Sequence, residues 1–448
     1  MIDWSPETIT IVMFAAMLLL VLTGYPLAFC IGGVGMFMGL LVFGPSSLKL
    51  MYVRAHAAVT NYTLLAVPLF LFMGLMIERS GVAESLFDAL NLWIGRLRGS
   101  LAIATVLTGT VLAACVGVFS ASIVMLGLIA LPAMLKRGYS RELACGSIIA
   151  GGCLGILIPP SIMIVLYGPM GGLSVGKLFM GAFGPGLMLS ALYITYIAIR
   201  PLIQPSCAPP LPAAERNVPW GRKFYLLITA LVPPLLLILG VLGSIFFGIA
   251  APTEAAGAGA FVATIIAAGY RKLSWRVVKE TCVATLKASA FIIVIMTGAS
   301  IFTGIFLSSG CGNVVGDLVL AAPGGKWGAF VLIHLILFML GMFLGWLGIL
   351  LIMIPIVTPI GAALGFDPIW FALMIMVNLQ MAYMTPPMAP AIFFLRGVVP
   401  PDSGIDTGII IRGVIPIVAL VMVGIVILIL IPDIIMWLPN AMIKAKVT

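Results

Sequence analysis

Apolar runs of about 20 residues follow one another along nearly the whole chain, and the charged residues gather in the short connections between them. A helix needs about 20 apolar residues to cross about 30 Å of hydrocarbon. The pattern therefore predicts an all-α polytopic membrane protein. Two of the runs are interrupted by a double proline, at Gly155-Ile-Leu-Ile-Pro-Pro-Ser161 and at Met384-Thr-Pro-Pro-Met388. Proline lacks the N–H that a helix needs and pushes the residue before it out of helical geometry. The carbonyls and amides freed in this way are tolerated in lipid only where they face protein, water or a ligand.

The interruptions occupy matching places in two halves. Ser80-Gly81 is matched by Ser309-Gly310, Gly95 by Gly324 and Gly99 by Gly328, each 229 positions on. Pro132, Gly138 and Pro159-Pro160 are matched by Pro359, Gly365 and Pro386-Pro387, each 227 positions on. Each double proline begins 21 residues after its glycine, Gly138 or Gly365. Such self-similarity predicts a duplication, and paired gapped helices are the sequence sign of a transport site near the membrane midplane.

Basic connections favour the cytoplasm. The connections around Lys136-Arg137, Arg222-Lys223 (with Arg216) and Arg271-Lys272 fall on one side if residues 100–136 form a re-entrant hairpin and 142–175 one broken crossing. Each half then holds five crossings and one hairpin, and the second half is inverted. The expected organisation is about ten transmembrane helices and two hairpins. Residues 1–200 form the first repeat, 201–223 a proline-rich linker, 224–435 the second repeat with hairpin 327–364 and broken helix 368–397, and 436–448 a tail. Amphipathic stretches at 46–62 and 274–287 read as interfacial arm helices.

Composition narrows the function. Charged residues make up 8% of the 448, and mean hydropathy is +1.26, which leaves nothing for a soluble domain. The net charge of +9 is scattered through connections, as topology requires, and not clustered as nucleic-acid binding would require. The run 9–22 lacks a basic leader and reads as a retained helix. Seven isolated cysteines have no metal or redox spacing. No catalytic or nucleotide motif is present, so an enzyme is not expected and transport energy must come from an ion gradient.

The candidate chemistry lies at the breaks. One cation site would join the hairpin tip at Gly117, Ser120 and Ser122 to Gly155, Ile158 and Pro159. A second would join Gly341, Gly345 and Gly348 to Thr385 and Pro386. Unwound carbonyls and hydroxyls supply the oxygens a small hard cation such as sodium needs, with no fixed charge in lipid. Helix amino ends at the breaks suit an anion, so an organic anion would meet Ser161, Pro160, Asn378, Gln380 and Pro387, with Phe119 and Trp346 at the tips. The competing reading is that these prolines kink packed helices and the glycines allow close packing. His334 reads as a structural histidine ahead of a proton relay, Glu254 as a first-turn acid, and Lys287 and Arg396 as snorkelling cations.

The segments Pro68-Leu-Phe-Leu-Phe-Met-Gly74, Ser80-Gly-Val-Ala-Glu84, Gly151–Ser161, Pro252-Thr-Glu-Ala-Ala256, Gly341-Met-Phe-Leu344 and Thr385-Pro-Pro387 resemble the large membrane subunit of tripartite ATP-independent periplasmic (TRAP) transporters, from about residue 8 to 432. The resemblance implies uptake of an organic anion, expected to be a carboxylate, across the bacterial inner membrane by a sodium-coupled elevator. It also implies a small four-helix membrane subunit, expected as a separate chain, and a soluble periplasmic binding protein. The same resemblance implies sodium as the coupling ion, and no cofactor is expected. The chain departs from many relatives in its first tip, Val116-Gly-Val-Phe-Ser120, which shifts the expected ligands toward carbonyls, Ser120 and Ser122. It also has Gly345 where many carry an aspartate. The alternatives are a stand-alone ion-coupled carboxylate permease and a non-transporting membrane scaffold.

Overall fold

The computed structural model describes residues 4–212, 218–344 and 346–445, with Trp346 and 443–445 described by backbone alone. Every regular element among them is helical. Among the described residues, eight helices are long and apolar enough to cross a membrane. Shorter apolar helices such as Pro6–Leu22, Ser100–Val116 and Pro368–Met384 complete the set. The all-α polytopic architecture expected from the pattern is the one found.

Local chemistry sets the helix limits. Ser140, Ser274 and Asp406 each accept a backbone N–H from the first turn of the helix that follows, at 3.2, 3.3 and 2.7 Å. Such caps satisfy donors that have no partner inside the helix. Asp367 accepts from both Ile369 and Trp370 ahead of Pro368. Glu254 accepts from the Ala251 N–H at 2.8 Å, the helix-start role expected of it.

The two halves repeat the same series. In the first, helix Val82–Ile94 precedes hairpin Ser100–Val116/Phe119–Lys136, and Arg141–Cys153 is broken before Ile162–Gly171. In the second, Cys311–Leu320 precedes hairpin Gly325–Phe343/Trp346–Ala363, and Pro368–Met384 is broken before Pro390–Arg396. Left-handed glycines mark equivalent corners: Gly81 and Gly310, Gly138 and Gly365. One sequence pairing needs correction. Gly99 and Gly324, not Gly99 and Gly328, are the left-handed residues that open the two hairpins. The helix before the second hairpin has 10 residues against 13 and the connection after it is one residue shorter, which together shift that corner by four positions.

Other boundaries differ from the expected ones. Segment 274–287 is no separate arm but the start of one unbroken 34-residue helix, Trp275–Ser308. The linker shrinks to 204–219, because its flanking residues extend the helices Val175–Ile203 and Trp220–Phe246; Arg216 lies outside the described residues. Ahead of the first hairpin its residues are tied to the chain by backbone bonds, with Gly99 N–H donating to Ala208 O and Leu211 N–H to Gly95 O. The boundary expected between second repeat and tail, at 435/436, falls inside a helix, Asp433–Ala445, that packs on Val175–Ile203.

The helices pack in two groups. In a frame group, Trp275–Ser308 lies against Leu27–Phe43, Ser47–Val59 and Ala66–Arg79. A glycine seam lets the backbones touch: a Cβ on Gly35 would stand 2.7 Å from Phe302 Cα, and one on Gly32 3.1 Å from Gly298 Cα. Small residues at such seams replace the hydrophobic driving force that lipid removes. In a hairpin group, both hairpins and broken segments pack with Val175–Ile203 and Thr407–Leu430. The groups meet close to each hairpin tip. A Cβ on Gly74 would stand 2.3 Å from Val116 O, and one on Gly348 2.5 Å from Leu27 Cδ2.

Candidate functional site

The first tip is shorter than the sequence implied. Only Gly117 and Val118 are non-helical, and Phe119 already opens the next helix. Gly117 is left-handed, with φ 64°, and a Cβ there would stand 2.7 Å from Pro160 O. Glycine is thus required twice, by conformation and by space. Across the same contact, a Cβ on Gly155 would meet Ser122 Oγ at 3.6 Å and Phe119 N at 3.7 Å. Tip and break are therefore in direct contact.

Within the break, the helix tightens to a 3₁₀ turn at Leu154–Ile156, passes the cis Pro159–Pro160 peptide and restarts at Ile162. Ser161 donates its hydroxyl to Ile156 O, so it braces the two sides of the gap. Ser122 is fully buried and donates to Val118 O at 3.2 Å, while Ser120 is half-buried on the same helix. Ile158 packs over Gly186, where a Cβ would stand 2.5 Å from its Cγ1. Residues 155–161 are all buried. The first turn of Ile162–Gly171 carries amides that no intrahelical carbonyl reaches.

The second break meets its own tip through backbone. Met388 N–H donates to Met342 O at 3.1 Å, filling a last-turn carbonyl of the hairpin helix. Gly341 lies against the upstream half of the break, where a Cβ would stand 2.3 Å from Ala382 Cβ. Thr385 leaves helical geometry and donates its hydroxyl to Met381 O at 2.8 Å. The cis Pro386–Pro387 pair and Met388 are exposed, unlike their counterparts in the first break. Gly348 is not at the break; it faces Leu27 of the frame. Gly345 and the Trp346 side chain lie outside the described residues.

The two polar residues upstream of Thr385 differ in kind. Asn378 donates to His334 O at 2.8 Å and so clamps the broken helix to the hairpin. Gln380 is fully buried, and neither its amide nitrogen nor its oxygen has a hydrogen-bond partner. It lies one turn before Tyr383 on the face turned toward the first repeat.

Tyr383 escaped the sequence reading. Its ring stacks on Phe119 at 5.5 Å and 17°, and its hydroxyl donates to Met163 Sδ at 3.4 Å. Phe119 also meets Phe394 edge-on at 5.7 Å. One tyrosine thus joins the first tip, the downstream half of the first break and the upstream half of the second. Tyr167 and Thr358, 3.1 Å apart, make a further link between the first broken segment and the second hairpin. The only signal in the sequence was a polar-tipped aromatic two residues before Thr385.

The described donors at both breaks are oxygens of carbonyls and hydroxyls, and no group of three His, Cys, Asp or Glu side chains comes together among the described residues. Such an oxygen set suits a hard cation more than a soft transition metal.

Residues 14–434 match the family described as "Tripartite ATP-independent periplasmic transporter, DctM component". The C4-dicarboxylate TRAP transporter large permease protein DctM of Pseudomonas aeruginosa is 31% identical over 366 residues, 80% of this chain and 83% of that protein. The ectoine TRAP transporter large permease protein TeaC of Halomonas elongata is 28% identical over 389 residues, 86% of this chain and 89% of that protein. Among solved structures, the Alcanivorax borkumensis YdaH transporter superposes with a TM-score of 0.63 at 16% identity, covering 92% of this chain and 97% of that one. At that identity the likeness concerns the fold.

Proposed function

Since the chain belongs to the DctM component family of tripartite ATP-independent periplasmic transporters, multi-pass proteins of the bacterial inner membrane, we propose that it takes up a small organic anion, a carboxylate by class, by symport with sodium. The observation that carries this reading is the convergence of both breaks. Gly117 touches Pro160, Met342 holds Met388, and Tyr383 joins the two places.

In the first cage, carbonyls of residues 155–159 and of the Gly117 tip, with the hydroxyls of Ser120 and Ser122, hold one sodium. In the second, carbonyls near Gly341 and Pro386 and the lone pairs of Thr385 hold another. The anion lies between them against the amides that open Ile162–Gly171, with Gln380 as its side-chain donor. Phe119 and Tyr383 wall the pocket and exclude water. Hydrogen bonds to a charged ligand are worth about 1.5–3 kcal/mol each, so a few amides suffice without an arginine. Occupied cages neutralise charge in the hairpin group and let it move past the frame as an elevator.

The names of relatives mention C4-dicarboxylates and ectoine, so the permease fold serves more than one solute. This supports assigning substrate choice to a soluble periplasmic binding protein, which delivers to this chain and a small membrane subunit. The test is uptake into liposomes holding this chain and the small subunit, with the binding protein outside. Uptake is expected only with an inward sodium gradient and the binding protein present. Full uptake without the binding protein points to a stand-alone permease, and full uptake without sodium sinks the symport.

A further inference from the structure

We propose that the groove between the end of Ala66–Arg79 and the first four turns of Trp275–Ser308 binds the headgroup of an anionic phospholipid of the inner leaflet. The groove is shallow and open to its surroundings, has a volume of about 510 Å³, and is lined by Arg79, Arg276, Lys279, Glu280 and Lys287 with small apolar neighbours. Positions 276, 279, 280, 283 and 287 share one helix face, so the cations are arrayed along a single strip.

Glu280 is the one acid in that lining, and it is fully engaged. Its two oxygens take Arg79 at 2.5 Å and Arg276 at 2.8 Å, which fixes both guanidinium groups at the groove wall. Lys279 and Lys287 form no ion pair among the described residues. Four cations against one carboxylate leave an uncompensated positive field in a concave site. Topology alone asks for basic residues near this end of the helix, but it does not ask for a groove or for a carboxylate that pins two of them.

The second half of the argument lies further along the same helix. Leu286 is 69% exposed, Phe291 55% and Val294 49%, so an apolar outer surface runs on from the basic strip. A free phosphate ion or a soluble anion would use only the cations. A phospholipid uses both, its phosphate at Lys279 and Lys287 and its acyl chains along Leu286 and Phe291. Juxtamembrane cations of this kind each strengthen binding to anionic lipid about fivefold.

Native mass spectrometry of the purified full chain, given equal amounts of phosphatidylglycerol and phosphatidylcholine with identical acyl chains, tests the site. Phosphatidylglycerol should be retained preferentially, and excess inorganic phosphate should not displace it. The double variant K279Q/K287Q should lower that preference about 25-fold, with phosphatidylcholine retention unchanged. K279R/K287R, which keeps the charge, should preserve it and so controls for folding. Equal retention of the two lipids, an unchanged preference in K279Q/K287Q, or displacement by phosphate alone would each overturn the assignment.

Discussion

Two amides in one helix set the clearest test at the scale of single residues. Gln380 is buried with nothing to bond, a cost of about 1–3 kcal/mol unless a ligand satisfies it. Gln380→Met, close in shape, should therefore leave the melting temperature unchanged or raised while weakening apparent substrate or sodium affinity about 10- to 100-fold. Asn378 is already bonded to His334 O, so Asn378→Ala should lower stability by about 1 kcal/mol and change affinity far less. The reverse pattern in melting curves and uptake kinetics would remove Gln380 from the pocket. The sequence singled out both residues as intramembrane amides and could not rank them, because the ranking depends on which neighbour each meets across the helix. Tyr383 was less legible still. In a chain with 24 phenylalanines and 10 tyrosines, an aromatic inside an apolar run looks like any core residue until its stacking partner is known.

At the scale of elements, the breaks work because glycine corners bring hairpin and gap together. Gly117 and Gly138 are both left-handed, but only Gly117 has a neighbour, Pro160 O, where a Cβ would go. Ala at either corner should cost about 1–2 kcal/mol through conformation. Gly117→Ala should in addition cut uptake severely, because the added methyl pushes the tip off the break. Gly138→Ala should transport near normally. Equal uptake by the two variants, measured at matched membrane abundance, would show that tip contact does not matter. Pro159→Ala and Pro386→Ala should likewise insert and fold yet lose turnover as the helix closes over the gap. The existence of hairpins and breaks was legible from proline and glycine, whose backbone requirements are local. Their registers were less so: the shift that pairs Gly99 with Gly324 came from a shorter helix, Cys311–Leu320, and a connection one residue shorter after it, and such lengths depend on packing. The expected arm at 274–287 failed for a similar reason, since an amphipathic stretch and the span after it share one periodicity and nothing breaks the helix between them.

For the whole molecule, the elevator reading requires the hairpin group to move against the frame group, and the contact between Leu27 and Gly348 offers a way to stop it. A Cβ on Gly348 would lie 3.3 Å from Leu27 Cγ, the atom whose place a cysteine sulfur would take, so cysteines at both positions are within reach of a disulfide. In a background where the exposed Cys282 is replaced by serine, L27C/G348C should transport when reduced, lose nearly all uptake when oxidised, and recover on adding reductant. The six remaining cysteines are buried and should not interfere, and each single variant should be insensitive to oxidation. The contact lies just past the second tip, so a bond there would pin the hairpin group without touching Gly117, Pro160 or Tyr383. Loss of uptake with substrate binding retained would then report arrested movement and not a damaged pocket. Full uptake by a protein shown to be quantitatively cross-linked would mean that the two groups travel together, and that solute passes by local opening of the hairpins instead.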